Sequence, residues 1–311
     1  MNAALELRGI VKRYGRHPAL NGLDLTVPRG SIFGMVGSNG AGKTTAMALS
    51  IGLLHQNAGD VSLFGEGPFR SDRHAGRVAL LPQDSRFPPH ARVEELLRYY
   101  GHLQGCGGSQ LETEINTLLD WVHLSDRRKS PVKTLSHGMN RRLSIAQAFL
   151  GWPELVLLDE PLNGLDPREA ASVRDLIRQR RGRQAIVISS HHLADLEAIC
   201  DTVAFIEKGK LVRQDSLASI TQSLHRLTYV LARTGPGRET LASLIPDVEW
   251  QYSDGDRTLT AFFPQTHTAE TLNAALIPLL ISMGAGILEI RRGSDLETEY
   301  LRLHAGESGG T

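Results

Sequence analysis

Residues 37–44 read Gly37-Ser38-Asn39-Gly40-Ala41-Gly42-Lys43-Thr44, the pattern G-x-x-x-x-G-K-[ST]. In such a loop the glycines let backbone N–H groups wrap phosphate oxygens. The lysine reaches the β- and γ-phosphates, and the terminal hydroxyl ligates Mg²⁺. The flanks suit that chemistry. Residues 31–36 are short, apolar and strand-like, and 45–54 are helix-compatible, so a helix N-terminus would add its positive dipole end. A second cluster stands at Asp159-Glu160, which closes the apolar run Leu155-Val156-Leu157-Leu158. Four consecutive apolar residues predict a buried parallel strand, and ligands bind beyond the carboxyl ends of such strands. Asp159 suits a Mg²⁺ shell, through water. Glu160 suits polarising the water that attacks a γ-phosphate, because phosphoryl transfer asks mostly for positioning and charge stabilisation.

A third cluster is Leu135-Ser136-His137-Gly138-Met139, ahead of a helix-like run over 140–150. Ser136 is a good N-cap, and Gly138 permits close backbone approach. By itself this is a capped helix start. Its place shortly before the Asp159-Glu160 strand, with Gly164-Leu165-Asp166-Pro167 after it, gives it weight.

In this order the clusters resemble the nucleotide-binding subunits of ABC transporters, over roughly residues 4–220. Their signature, commonly LSGGQ, stands here as LSHGM. The resemblance implies ATP and Mg²⁺ as cofactors and distributes roles along the chain. Tyr14, in Lys12-Arg13-Tyr14-Gly15, matches the aromatic that stacks on adenine. Gly37, Ser38, Asn39, Gly40, Ala41, Gly42, Lys43, Thr44 and Thr45 match the phosphate loop, with Thr44 on the metal. Gln83, in Leu81-Pro82-Gln83, matches a glutamine that touches the metal and water site and senses the membrane partner. Ser136 and Gly138 match the signature residues, and Asp159 and Glu160 the metal-shell and catalytic carboxylates. Asp166 matches an aspartate that comes after them, and His191, after Ser189-Ser190, the switch histidine at the γ-phosphate. His137 and Met139 depart from the usual glycine and glutamine. The S-x-G-M form is similar to a variant of drug- and polysaccharide-export ATPases. A metal reading of His191, His192 and Asp195, with His191 and Asp195 on one helical face, lacks a third ligand of the usual kind.

The 311 residues are enough for two domains, and 41% hydrophobic content suits a chain that folds in water. Thirty-four basic and 34 acidic residues balance, so no global basic field recruits nucleic acid or an anionic membrane. Arg178, Arg180, Arg181 and Arg183 form a local cluster, read as the solvated end of a helix before a strand over 184–190. Cys106 and Cys200 lie too far apart for a ligand or redox motif. No apolar run reaches about 18 residues, and no signal peptide is evident, so the expectation is a chain that does not span a membrane.

The expected fold is α/β. An antiparallel β subdomain (4–30 and 59–65) flanks a parallel core (31–54, 76–83, 154–160, 184–190, 201–207), and a helical subdomain covers about 86–153 with helices at 93–103 and 111–122. These make up an ABC nucleotide-binding domain over 1–224. Residues 225–304 read strand (227–232), helix (238–245), strand (248–252), strand (257–263), helix (269–282), strand (287–291), the ferredoxin-like order, with a last helix at 296–304. This segment is expected to be a regulatory or dimer-supporting domain, and 305–311 a disordered tail. Drug-export ATPases of the daunorubicin-resistance type carry a similar appended domain.

The resemblance further implies a dimer closing around two ATP, because each nucleotide is sandwiched between the phosphate loop of one copy and the signature of another. It implies an integral membrane permease as partner, a place at the cytoplasmic face of the cell membrane, and no nucleic acid. Two other classes compete with an exporter ATPase. An ABC-type ATPase acting on DNA or ribosomes usually has two nucleotide domains in one chain, long coiled-coil insertions or basic stretches, and none is visible. A regulator without turnover would not need Glu160 and His191.

Overall fold

The computed structural model describes residues 3–221, 225–253, 255, 257–264 and 266–292. The chain divides into two compact units, Met1–Asp215 and Ser216–Thr311.

In the first unit β1 (Ala3–Tyr14) and β2 (His17–Pro28) form a long hairpin. β3 (Ile32–Val36) leads to α1 (Lys43–Ser50), β4 (Ala58–Leu63), the single turn α2 (Ser71–His74) and β5 (Val78–Leu81). The helical segment holds α3 (Val93–Leu103), α4 (Gly108–Trp121) and α5 (His137–Phe149). Then come β6 (Leu155–Asp159), α6 (Pro167–Arg178), β7 (Ala185–Ser190), α7 (Leu193–Ile199), β8 (Thr202–Glu207) and β9 (Lys210–Ser216). A three-stranded sheet runs β2-β1-β4, with both pairs antiparallel, and a six-stranded sheet runs β5-β6-β7-β3-β8-β9. Strands β3 and β6 are buried at every position, as continuous apolar runs between two covered faces must be.

The register of the six-stranded sheet builds the site. β7 lies between β3 and β6, parallel to both, and pairs Val36 with Ser190 and Asp159 with Ser189. The three strands therefore end level with one another. Gly37, Glu160 and His191, each the next residue after its strand, are thereby delivered to one edge.

Several boundaries differ from the sequence reading. α5 begins at His137 rather than near 140, because Ser136 Oγ accepts the Met139 N–H at 3.2 Å and so starts the helix inside the signature. α1 begins at Lys43 and stops at Ser50, where Gly52 (φ +74) turns the chain. α7 begins only at Leu193, so His191 shares no helical face with Asp195, whose Oδ1 accepts from Arg174 at 2.6 Å. β9 was not expected; the Lys208-Gly209 turn before it was the available cue. Arg180 is 2% exposed, which overturns its assignment to a solvated helix end.

In the second unit α8 (Leu217–Thr221) precedes β10 (His225–Leu231), α9 (Arg238–Leu244), β11 (Glu249–Ser253), β12 (Thr258–Phe263), α10 (Ala269–Ser282) and β13 (Ile287–Arg292). The antiparallel sheet runs β11-β12-β10-β13, the ferredoxin-like arrangement of a β-α-β-β-α-β chain. Leu272, Leu276 and Leu280, four residues apart, lay one stripe of α10 into the core with Tyr229, Leu259 and Phe263. Thr268 caps that helix by accepting the Thr271 N–H at 3.1 Å. The expected last helix and tail lie outside the described residues.

Candidate active site

Lys43 opens α1 and is only 6% exposed. Its Nζ donates to the carbonyls of Gly37 at 2.6 Å and Ser38 at 3.2 Å, and lies 4.0 Å from Glu160 Oε1. Burial pulls its pKa down, while Glu160 and Asp159 oppose that pull and favour the cation. Thr44 Oγ1 donates to Asp159 Oδ2 at 2.6 Å, tying the end of the phosphate loop to the end of β6. Gly42, with φ +107, cannot be replaced. A Cβ there would stand 2.6 Å from Leu20 Cδ2 and 2.7 Å from the Ala19 carbonyl. The loop therefore folds directly against β2.

Glu160 is 7% exposed and takes the left-handed conformation (φ +49) that non-glycine residues avoid. Three contacts hold it. Its N–H donates to Ser189 Oγ at 2.9 Å, and Ser189 Oγ in turn donates to Asp159 Oδ1. Its carbonyl accepts from Arg141 at 2.7 Å. Its carboxylate oxygens lie 3.0 and 3.1 Å from His191 Nδ1. Backbone strain of this kind persists only where the surroundings over-determine it, and it clusters at working sites.

Arg141 and Ser189 were missed as site residues. The Arg141 guanidinium donates to the carbonyls of Asp159 and Glu160 at 2.7 Å, Pro161 at 3.3 Å, Pro82 at 3.2 Å and Gln83 at 3.0 Å. One buried cation thus fixes the turn after β6 to the segment that carries Gln83. The cue was an Arg141-Arg142 pair directly behind the signature. Arg142 donates to the Val122 carbonyl at 2.6 Å and to Glu169 Oε1 at 2.9 Å.

A cavity of about 470 Å³ is lined by Ala19, Asn39–Thr45, Gln83, Asp159 and Glu160. The structure brings these together with the Gly37 and Ser38 carbonyls and, through Glu160, with His191. It does not bring Tyr14, Ser136, Gly138 or Asp166 to the cavity wall. Tyr14 ends β1, half exposed, with Lys12 Nζ 5.4 Å from its ring centroid. Asp166 caps α6, its Oδ1 accepting the N–H groups of Arg168 at 2.9 Å and Glu169 at 2.8 Å. Gly138 is packed against that cap, since a Cβ there would meet Glu169 Oε2 at 2.6 Å.

The arrangement can hold a phosphate chain beside a metal shell of hydroxyl and carboxylate oxygens, with a strained carboxylate next to a lysine and a histidine. That is the site of a P-loop ATPase. Residues 20–163 match the family model described as ABC transporter. The chain is 31% identical to Nod factor export ATP-binding protein I of Burkholderia lata over 97% of both chains. It is also 31% identical to the same-named protein of Cupriavidus pinatubonensis over 97% of this chain and 91% of that one. Among solved structures, an ATP-binding subunit of an ABC transporter superposes with a TM-score of 0.64 at 27% identity, covering 70% of this chain and 91% of that chain. The chain belongs to the ATP-binding proteins of ABC transporters, ATPases that power transport. No helix of the described residues is long and apolar enough to cross a membrane.

Proposed function

We propose that this chain is the ATP-hydrolysing subunit of an exporter. It works as a dimer around two ATP at the cytoplasmic face of the cell membrane, beneath separate integral membrane permease subunits. The observation that carries the catalytic half is Glu160, strained, buried and held between Lys43 and His191 one residue after the Asp159–Thr44 bond. Export rests on the relatives' names, which extend over nearly the whole chain, and on the S-x-G-M signature. None of those names supports action on DNA or ribosomes.

In this reading the N–H groups of residues 37–45 wrap the phosphates, and Lys43 leaves the Gly37 and Ser38 carbonyls to meet the β- and γ-phosphates. The donor set of Thr44, Asp159 and Gln83 is all oxygen, as Mg²⁺ requires. When bound, the metal neutralises developing phosphate charge. Glu160 orients the attacking water and takes up its proton. His191 holds the Glu160 carboxylate and faces the γ-phosphate. Tyr14 stacks on adenine. Ser136, Gly138 and Asp166 act on the nucleotide of the other copy, which accounts for their distance from the cavity wall. In this reading 1–224 is the nucleotide-binding domain and 225–304 a regulatory or dimer-supporting domain, although the second compact unit already begins at Ser216.

The test mixes Lys43→Ala subunits with Ser136→Arg subunits. Each homodimer is expected to be inactive, and the heterodimer to regain turnover at the one composite site with both partners intact. Purified heterodimers with no turnover would overturn the shared-site reading.

A further inference from the structure

Ser136 and Asp166 are the N-caps of α5 and α6, and in the function proposed above both act on the nucleotide of the other copy. One side chain joins the two helix starts. Glu169, the third residue of α6, closes a capping box with Asp166. Its N–H donates to Asp166 Oδ1 at 2.8 Å, and its Oε2 accepts the Asp166 N–H at 3.4 Å. Its Oε1 accepts from the Arg142 guanidinium of α5 at 2.9 Å. Oε2 also lies against the first turn of α5, where a Cβ on Gly138 would stand 2.6 Å from it.

Arg142 is itself held in place. Its guanidinium donates to the carbonyls of Val122 at 2.6 Å and His123 at 3.1 Å, and its side chain is only 9% exposed. A half-buried, hydrogen-bonded charge pair of this kind is costly to break from one side. A second contact runs beside it. The His137 ring lies against the loop before α6, where a Cβ on Gly164 would stand 3.1 Å from Nε2. A pair that only held α5 to α6 could stand at any turn of the two helices. Glu169 stands in the first turn of α6 and reaches the first turn of α5, so it fixes the spacing of the two caps rather than the packing of the helix bodies.

We propose that Glu169 is a positioning residue for hydrolysis at the other copy's nucleotide, an inference that rests on the shared-site reading above. One carboxylate ties Asp166, Gly138 and Arg142 together, so the signature and Asp166 reach that nucleotide as a single unit. Glu169 itself makes no bond to the nucleotide. Its effect is on geometry, and a displacement of about 1 Å at a reacting site costs about 10²-fold in rate.

The test adds Glu169→Ala to the heterodimer of Lys43→Ala and Ser136→Arg subunits. The one intact site of that heterodimer joins the phosphate loop of the Ser136→Arg copy to the signature of the Lys43→Ala copy. Placed in the Lys43→Ala copy, Glu169→Ala should lower turnover at least about tenfold, as loss of a hydrogen bond between charged groups predicts. Placed in the Ser136→Arg copy, whose signature is already blocked, it should leave turnover within about twofold of the parent heterodimer. A merely structural role would lower both arms alike. If Glu169→Ala subunits misfold and no longer bind ATP, Glu169→Gln, which keeps the size and one acceptor, goes into the same two copies. It should show the same asymmetry, at least about threefold. Equal turnover in the two arms, or the larger loss in the Ser136→Arg copy, overturns the proposal alone. A parent heterodimer without turnover overturns the shared-site reading and the proposal with it.

Discussion

The two units treat buried polarity in opposite ways. Among the described residues, every buried charged side chain lies in Met1–Asp215: Lys43, Arg141, Arg142, Asp159, Glu160 and Arg180. The core of the second unit is apolar apart from the heads of Tyr229 and Trp250. There the Tyr229 hydroxyl donates to Asn273 at 2.7 Å, and burial pushes its pKa up to about 12. Burying charge costs stability unless partners compensate. Of the first unit's buried charges, Lys43, Asp159 and Glu160 line the cavity at the phosphate loop and Arg141 stands directly behind it. The second has no such constellation among its described residues and is built for packing.

Glu160→Gln tests the functional side of this contrast most sharply. Turnover should fall by about 10²–10³, as when a group acting on the transition state is removed, with ATP affinity retained. Steady-state hydrolysis beside equilibrium ATP binding checks it. A variant that hydrolyses ATP at the wild-type rate would mean that the strained carboxylate is not catalytic.

Arg141→Met separates burial for structure from burial for chemistry. It leaves the carbonyls of Pro82, Gln83, Asp159, Glu160 and Pro161 without this donor. Urea unfolding of the first unit should show a loss above about 3 kcal/mol, because each stranded buried group costs about 1–3. A loss below about 1 kcal/mol would show that water satisfies these carbonyls, so that Arg141 is no clamp.

Leu276→Ala is the counterpart in the second unit. Opening a cavity among Leu272, Leu280 and Tyr229 should cost about 3 kcal/mol, within the range for leucine truncation. ATP binding should not change. If ATP affinity falls with it, the two cores are not energetically separate. The smallest effect is expected from ending the chain after Leu224. All nucleotide motifs precede that point, so the dissociation constant for ATP should move by less than about twofold, under about 0.4 kcal/mol. Dimer closure or coupling to transport should weaken, measured by ATP-dependent dimerisation. Equal dimerisation and wild-type transport would leave the appended unit passive.

Much of this could be read along the chain because the cues were local. The phosphate loop, the strand ending in Asp159 and Glu160, the cap at Ser136 and the β-α-β-β-α-β order of residues 225–292 each depend on neighbours within a few positions. α10 matches its expected span of 269–282 residue for residue, since Thr268 starts it and a leucine stripe sustains it. The arginines were harder. Arg178 and Arg180 stand two residues apart in one basic run. Arg178 binds Asp175 at the surface, whereas Arg180 is swallowed between two tryptophans about 60 and 30 residues upstream. Nothing local distinguishes them.

What the sequence by itself determined is the chemistry available: a glycine-cradled lysine, a hydroxyl and a carboxylate for a metal, and an acid positioned behind a buried strand. These depend on residue type and short spacing. Only the tertiary structure decided that β7 lies between β3 and β6, so that Lys43, Glu160 and His191 meet at one edge. It also decided that Arg141 locks Glu160 into its left-handed turn and that Arg180 is buried between Trp121 and Trp152. Strand order and the burial of long charged side chains are set by contacts between residues far apart in sequence. Their free energies are sums over the whole core, and no window of neighbouring residues contains them.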